Sequence, residues 1–502
     1  MVLAKVVSGA CVGLEALRVE IEVDTATAKE KAFLVIVGLP DTSVREAKDR
    51  VLTAVKNSGA DITSLTCTVN LAPADVKKEG SSFDLPIAMG LLANLGKVRK
   101  SALSDYLIVG ELGLGGDTRP IMGALALAFL AKQLNLKGVI LPAANQFEAA
   151  LVPDIEIIGV NSLQEAIASI NGEKLPRPSE PVSEQKEPLA TVDFADILGQ
   201  QQARRAVEIA AAGNHNILLW GPPGTGKSLL AKALCGILPE MSIDESLEVS
   251  KIYSIAGLLK QASLISKRPF RAPHHTTSYA GLIGGGSVPR PGELVLAHRG
   301  VLFLDELPEF SRHVLEALRQ PLEERTITIS RAHSSTNYPC SCLLIAAMNP
   351  CPCGYLGHPD KPCKDTRLQV DRYLRKISGP LLDRIDLHVW VNAMRSSDIN
   401  SATAPESSAA IQAHIQQARN LQSERFGASK TNAEMSAKDL QLHFPLKSGL
   451  KKLVEQAIDS FSLSLRAVHR ALKVAATIKD LAGAPALEEQ HLLEALSFKQ
   501  TY

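Results

Sequence analysis

The sequence predicts a multidomain α/β protein: an N-terminal α+β domain, a central P-loop α/β domain and a C-terminal helical lid. Three observations predict it. Apolar strand-like runs alternate with helix-like segments on both sides of one Pro-, Glu-, Ser- and Lys-rich stretch, residues 171–190. The half after that stretch opens on a strand, a glycine-rich loop and a helix in direct succession. Beyond a Ser/Ala-rich segment at 395–410, the pattern is helical to the end of the chain.

At 502 residues the chain is too long for one ordinary core. The divisions read as a first domain over 1–172, a linker over 173–192, a P-loop core over 193–392 and a lid over 393–502. In the first domain, Ala32–Val37, Tyr106–Val109, Gly138–Leu141 and Ile155–Ile158 read as strands, and Ser43–Asn57, Leu85–Leu95 and Gly123–Gln133 as helices. In the core, Asn216–Trp220, Gly300–Leu304 and Leu343–Ala347 are apolar throughout, as in parallel strands covered on both faces.

Composition narrows the function classes. With 45% hydrophobic and 21% charged residues the chain is globular, and its formal net charge of +1 supplies no global attraction to nucleic acid or to a membrane surface. Any DNA contact must therefore use local basic loops. No apolar run approaches the ~20 residues needed to span a bilayer, and the first residues lack an export signal, so a cytosolic (cytoplasmic) protein with no membrane partner is expected. In a reducing compartment the cluster Cys340, Cys342, Cys351, Cys353 and Cys363 suggests a metal or buried thiols before disulfides.

The loop after Trp220 is Gly221-Pro222-Pro223-Gly224-Thr225-Gly226-Lys227-Ser228, which fits G-x-x-x-x-G-K-[ST] at every fixed position. The glycines let backbone N–H groups face phosphate oxygens, and the following helix adds the positive end of its dipole. Lys227 supplies a charge for the β and γ phosphates and Ser228 a hydroxyl for Mg²⁺, so ATP with Mg²⁺ is the expected ligand. The strand ending at Leu304 delivers Asp305 and Glu306: the first suits the Mg²⁺ shell, the second the attacking water. A third strand ends at Asn349, whose amide could orient water or sense the γ-phosphate. Arg384 suits a finger reaching a neighbouring subunit's site, and Arg466, on a C-terminal helix, a sensor acting when the lid closes.

Segments from Asp193 onward, among them Arg268–His275, Leu296–Phe310, Ala346–Gly354 and Ser378–His388, resemble the magnesium-chelatase-like AAA+ proteins of the competence protein ComM (YifB) type. The resemblance covers nearly the whole chain. It implies a chelatase-type AAA+ core with a helix-2 insert, a hexameric ring acting on DNA, and branch migration during recombination in natural transformation, with other recombination proteins as further partners. It also implies that Asn349 is sensor 1, Arg384 the arginine finger and Arg466 sensor 2. The N-terminal domain resembles the S5-fold proteolytic domain of Lon. There, the serine position holds Asp84 and the lysine position Leu125; neither can do the chemistry of a Ser-Lys dyad, so peptidase activity is not expected.

Two segments carry local positive charge. Thr326–Arg331, a polar turn and Cys340–Leu344 read as a hairpin, a feature that related ring motors point into the pore, with Arg331 and His333 facing phosphates. Lys267, Arg268 and Arg271, with His274 and His275, form a second basic loop. Such contacts would be sequence-independent and salt-sensitive. Cys351, Cys353, His358 and Cys363 could together supply four zinc ligands, against the alternative of inert thiols; the C-x-C spacing is tight, and Asp365 stands where a further cysteine is common. Three functions remain open: a DNA-translocating ATPase, a chelatase-like ATPase that remodels a protein partner, and an ATP-dependent protease, which Asp84 and Leu125 argue against.

Overall fold

The computed structural model describes residues 3–27, 33–38, 42–60, 62, 65–73, 81–173, 192–259, 263–285, 290–331, 334–393, 406–427, 430–461 and 463–499. The chain divides into two compact units, Met1–Gln185 with Ser246–Ile265, and Lys186–Glu245 with Ser266–Tyr502. The first therefore includes an excursion from the second half of the chain, which composition does not reveal.

In the first unit a seven-stranded mixed sheet runs in the order Phe33–Val37, Leu65–Ala72, Glu15–Thr27, Ala4–Val12, Tyr106–Ile108, Gly138–Pro142, Glu156–Val160. Strand alternation sends successive side chains to opposite faces. Ile108 and Ile140 join a core with helices Thr42–Asn57, Asp84–Asn94 and Leu163–Asn171, while Leu107, Val139 and Leu141 join another with helix Ala124–Gln133. The excursion adds Leu247 and Leu259 to that second core. Helix Asp84–Asn94 is buried from Asp84 to Ala93, which explains why its sequence carries almost no polar face.

The second unit holds a five-stranded, all-parallel sheet in the order Phe270–Arg271, Val301–Leu304, Leu343–Met348, Ile217–Trp220, Leu387–Trp390. Its three central strands, Val301–Leu304, Leu343–Met348 and Ile217–Trp220, are apolar because both faces are covered, as the uninterrupted runs predict. Parallel pairing puts every strand's carboxyl end on one edge, the edge where open α/β sheets hold ligands. Helix Lys227–Ile237 turns Leu230, Leu234 and Ile237 inward at helical spacing. Five further helices, Ser408–Phe426, Ala437–His443, Ser448–Phe461, Leu465–Leu481 and Glu489–Ser497, make up the C-terminal part. Ser407, Ser436 and Ser464 cap three of them by accepting hydrogen bonds from N–H groups of the first turn. Their apolar faces share one core with the sheet: Ile415, Leu472 and Leu492 lie in the same cluster as Ile217 and Ile345.

The basic hairpin differs from its sequence reading. Thr326–Arg331 pairs antiparallel with Ser334–Pro339, not with residues 340–344. Leu343 and Leu344 belong to the central sheet instead. Hydrophobicity was the misleading signal, because Ser334–Asn337 is a strand of polar residues. No helix among the described residues is long and apolar enough to cross a membrane.

Candidate functional site

Three adjacent strands deliver the site. Trp220 pairs in register with Met348, and Leu304 with Ala346, so the residues that follow each strand emerge side by side. Gly221 N–H donates to Met348 O at 3.3 Å, tying the glycine loop to the strand that ends at Asn349. Gly224 and Gly226 take left-handed φ values of 77° and 89°, and a Cβ on either would meet nothing within 4 Å. The loop is thus an open cradle whose backbone only glycine adopts without strain.

Lys227 lies at its centre. The ammonium donates to Gly221 O at 2.7 Å, Pro222 O at 2.8 Å and Asn349 Oδ1 at 3.2 Å, and the side chain is buried. Burial pulls its pKa from 10.5 down to about 8, against the opposing pull of Asp305. Among these partners are carbonyl and amide oxygens but no anion in contact, so the cation is short of counter-charge. The Ser228 hydroxyl donates to Asp305 Oδ2 at 2.8 Å, which brings a hydroxyl and a carboxylate to one point, a donor set that suits Mg²⁺. The fit to a magnesium triphosphate rests on this convergence and on the open cradle.

Glu306 follows with φ of 52°, a left-handed backbone that costs a side-chain-bearing residue about 1–3 kcal/mol and persists where the surroundings enforce it. Its exposed carboxylate faces His275 Nδ1 at 3.5 Å. The sequence placed His275 in a basic loop; the fold brings it to this acid, a proximity no spacing rule announces.

Arg384 and Arg466 lie apart from this group and beside each other. Both reach the Glu323 carboxylate, Arg466 at 3.2 Å. Arg384 also donates to Arg319 O and Pro380 O, at 2.7 Å each. They line a cavity of about 660 Å³ with Arg299, Arg325, Arg470 and Lys473, and none of residues 221–228 lines it. Glu323, which nothing in the sequence singled out, joins the two arginines. Its signal, an acid one turn before the hairpin, is too common to read.

Of the basic residues, Lys267 is exposed. Arg268 donates to Pro239 O, Arg299 O and Glu245, and Arg271 forks onto Glu293. These two guanidiniums are tied within the chain to nearby acids and carbonyls. Arg331 ends its hairpin strand opposite Ser334, while His333 lies outside the described residues.

The thiols of Cys351, Cys353 and Cys363 converge with Sγ separations of 3.4–3.6 Å. The fourth group is Asp365, not His358: the ligand atoms of the three cysteines and Asp365 all lie within 4.8 Å of one another. His358 Nδ1 instead accepts the N–H groups of Asp360 and Lys361, capping its own loop. Cys340 and Cys342 are buried elsewhere, burial pushing the Cys342 thiol up to about 12.

In the first unit, Asp84 is fully buried. Arg50 forks onto it, with Nε to Oδ2 at 2.8 Å and Nη2 to Oδ1 at 3.1 Å, and Leu112 N–H donates to Oδ2. Leu125 is buried, its N–H donating to Glu148. The positions of the dyad thus hold an ion-paired acid and an apolar side chain.

Comparison with known proteins agrees with this geometry. Residues 193–399 match the profile described as magnesium chelatase, subunit ChlI; 21–145 that of subunit ChlI of Mg-chelatase; and 405–499 that of the ChlI C-terminal region. The chain is 43% identical to the competence protein ComM of Haemophilus influenzae over 99% of its length and 98% of that protein. It is 40% identical to YifB of Salmonella typhimurium over 99% and 97%. A stretch of 31% of the chain is 29% identical to Lon protease 2 of Bacillus subtilis, covering 29% of that enzyme. The AAA+ architecture, the three ChlI-type regions and this end-to-end identity agree: the chain belongs to the ComM/YifB family of magnesium-chelatase-like proteins.

Proposed function

We propose that the chain is an ATP-hydrolysing AAA+ ring motor that acts on DNA, driving branch migration in the recombination of DNA taken up during natural transformation. The observation that carries the ATPase reading is the meeting of Lys227, Ser228, Asp305 and Asn349 at the carboxyl edge of one parallel sheet. The DNA reading is supported by the ComM relative's designation as a competence protein and by the hairpin whose first strand ends at Arg331. Lys267 and Arg331 are the phosphate contacts we infer.

ATP and Mg²⁺ serve this site, and zinc is a third, structural cofactor at the thiol cluster. Bound Mg²⁺ supplies positive charge to the β and γ phosphate oxygens. Ser228 and Asp305 hold that metal, and the loop's N–H groups and Lys227 bind the phosphates, supplying the anion that the buried ammonium lacks. Asn349 fixes the Lys227 ammonium by its amide oxygen and orients the attacking water. Glu306 takes a proton from that water as its oxygen bonds the γ-phosphorus and the bond to ADP breaks. His275 steers the Glu306 carboxylate. The pairing of Arg384 with Arg466 on Glu323 supports a composite finger: both serve the neighbouring subunit's γ-phosphate, and Glu323 stands in for that phosphate until subunits meet. We infer domain boundaries as read from sequence, except that Ser246–Ile265 joins the first unit, and an N-terminal domain that lacks peptidase activity.

Two measurements test this reading. Glu306→Gln should retain nucleotide binding and lose about 10²–10⁴-fold in ATP turnover. Lys227→Ala and Arg384→Ala, each inactive alone, should recover ATPase activity when mixed, because an intact loop on one chain meets an intact arginine on another. No recovery at any ratio would place Arg384 in its own subunit's site. DNA that leaves the wild-type ATPase rate unchanged, whether single-stranded, duplex or branched, counts against the DNA motor.

A further inference from the structure

We propose that Cys351, Cys353, Cys363 and Asp365 bind one Zn²⁺ as a Cys₃Asp knuckle, and that this metal positions the Asn349 side chain against Lys227. The metal claim stands on the knuckle alone. Only its effect on nucleotide rests on the ATP-site reading above.

The thiol geometry is that of a shared ion. Zinc–sulfur bonds of about 2.3 Å in a tetrahedron place sulfurs about 3.8 Å apart, close to the 3.4–3.6 Å separations seen among three free cysteines. Three mutually adjacent thiols cannot be satisfied by one disulfide. A cubane iron–sulfur cluster binds its cysteines on separate irons, farther apart than this, so a single tetrahedral ion fits better. The fourth ligand is also on hand, with Asp365 Oδ2 at 3.8 Å from Cys363 Sγ. Backbone support completes the site. Cys353 N–H donates to Asp365 Oδ2 at 2.8 Å and Leu356 N–H points at Cys351 Sγ at 3.4 Å, the kind of outer contact that holds metal ligands in place. Gly354, at φ of 83°, turns the chain between Cys353 and the loop beyond, its N–H donating to Cys351 O.

The knuckle is continuous with the site. Cys351 follows Asn349 by two residues, and Asn349 Oδ1 receives the Lys227 ammonium at 3.2 Å. Gly354 lies so close to the glycine loop that a Cβ on it would stand 2.9 Å from Pro223 Cδ and 3.9 Å from Asn349 Cγ. A metal closing residues 351–365 into a rigid loop therefore fixes the segment that abuts both Pro223 and Asn349. Without it, only the thiol contacts and the Cys353 N–H bond to Asp365 hold the loop closed.

The test measures zinc in the full chain purified without chelator, by mass spectrometry. About one Zn²⁺ per chain is expected, lost in Cys363→Ser and weakened in Asp365→Ala but kept in Asp365→Cys and in His358→Ala. Cobalt substitution keeps the inference falsifiable if a variant misfolds: the thiolate charge-transfer band of wild-type protein should grow by about a third in Asp365→Cys, as a fourth thiolate joins. Wild-type protein that carries no zinc and takes up no cobalt overturns the site. Loss of zinc in His358→Ala with retention in Asp365→Ala overturns the ligand set. For the positioning claim, stripping the metal should weaken binding of a fluorescent ATP analogue about tenfold. Unchanged affinity overturns it. Lys227→Ala, by contrast, should keep its zinc while losing nucleotide, so failure of the ATP site and failure of the knuckle read out separately.

Discussion

Two buried charges, Asp84 in the first unit and Lys227 in the second, have opposite settings. Asp84 is enclosed with a fully matched partner: Arg50 meets both carboxylate oxygens and a backbone N–H adds a third bond. Lys227 is enclosed with carbonyl and amide oxygens only, beside a cradle of open space. A buried charge that is satisfied within the chain is architecture; one that is left short of a counter-ion awaits a ligand. The contrast separates a buried charge matched within the fold from one beside an open cradle.

The largest expected effect sharpens the second half of that contrast. Lys227→Ala should lower ATP turnover about 10³-fold or more, the scale of losing a charge on the transferring phosphoryl group, with little change in the thermal unfolding of the free protein. Arg50→Ala should do the reverse, destabilising the first unit by about 3–5 kcal/mol because it strands a buried carboxylate, while leaving the isolated nucleotide-binding step intact. Denaturant unfolding and analogue binding on the same two variants decide both.

The pH dependences differ in the same way. Burial raises Asp84 from 3.8 to about 6 although Arg50 opposes it. Its folded pKa is above its unfolded one, so the cost of the buried carboxylate is felt above about pH 6 and relieved as pH falls from 6 towards 3.8. Losing Arg50 raises the carboxyl further, so the deficit of Arg50→Ala should be greatest at alkaline pH, shrink as pH falls towards about 6 and stay level below that, as followed by denaturant titration at several pH values. Lys227 runs the other way: it is lowered to about 8 in the free protein, and a phosphate bound beside the ammonium should raise it again. Nucleotide affinity should be full below about pH 8 and fall, at most about tenfold per pH unit, as pH rises through that value. The smallest effect belongs to Glu323→Gln, which frees Arg384 and Arg466 from their stand-in and should change the ATP concentration for half-maximal rate a few-fold.

Much of this was legible in the sequence because local chemistry dictates it. A parallel strand buried on both faces must be apolar, and a glycine-rich loop after it marks a cradle, so Ile217–Ser228 and Val301–Glu306 announced their elements and their meeting at one sheet edge. What remained hidden depends on long-range meeting. The pairing of Glu323 with Arg384 and Arg466, and of His275 with Glu306, joins residues that no periodicity relates. Asp365, not His358, sits beside the three thiols because loop closure, not residue type, decides which group arrives. Arg268 and Arg271 looked like free charge because their partners, Glu245 and Glu293, are some twenty residues away in sequence.

The most direct test of the central claim is a crystal structure of the chain with Mg²⁺ and a non-hydrolysable ATP analogue. The triphosphate should lie on the N–H groups of residues 224–228, with the Lys227 ammonium turned from Gly221 O towards the phosphates and Mg²⁺ held by Ser228 and Asp305. Nucleotide bound elsewhere, with Lys227 still on its carbonyls and Ser228 still on Asp305, would contradict it.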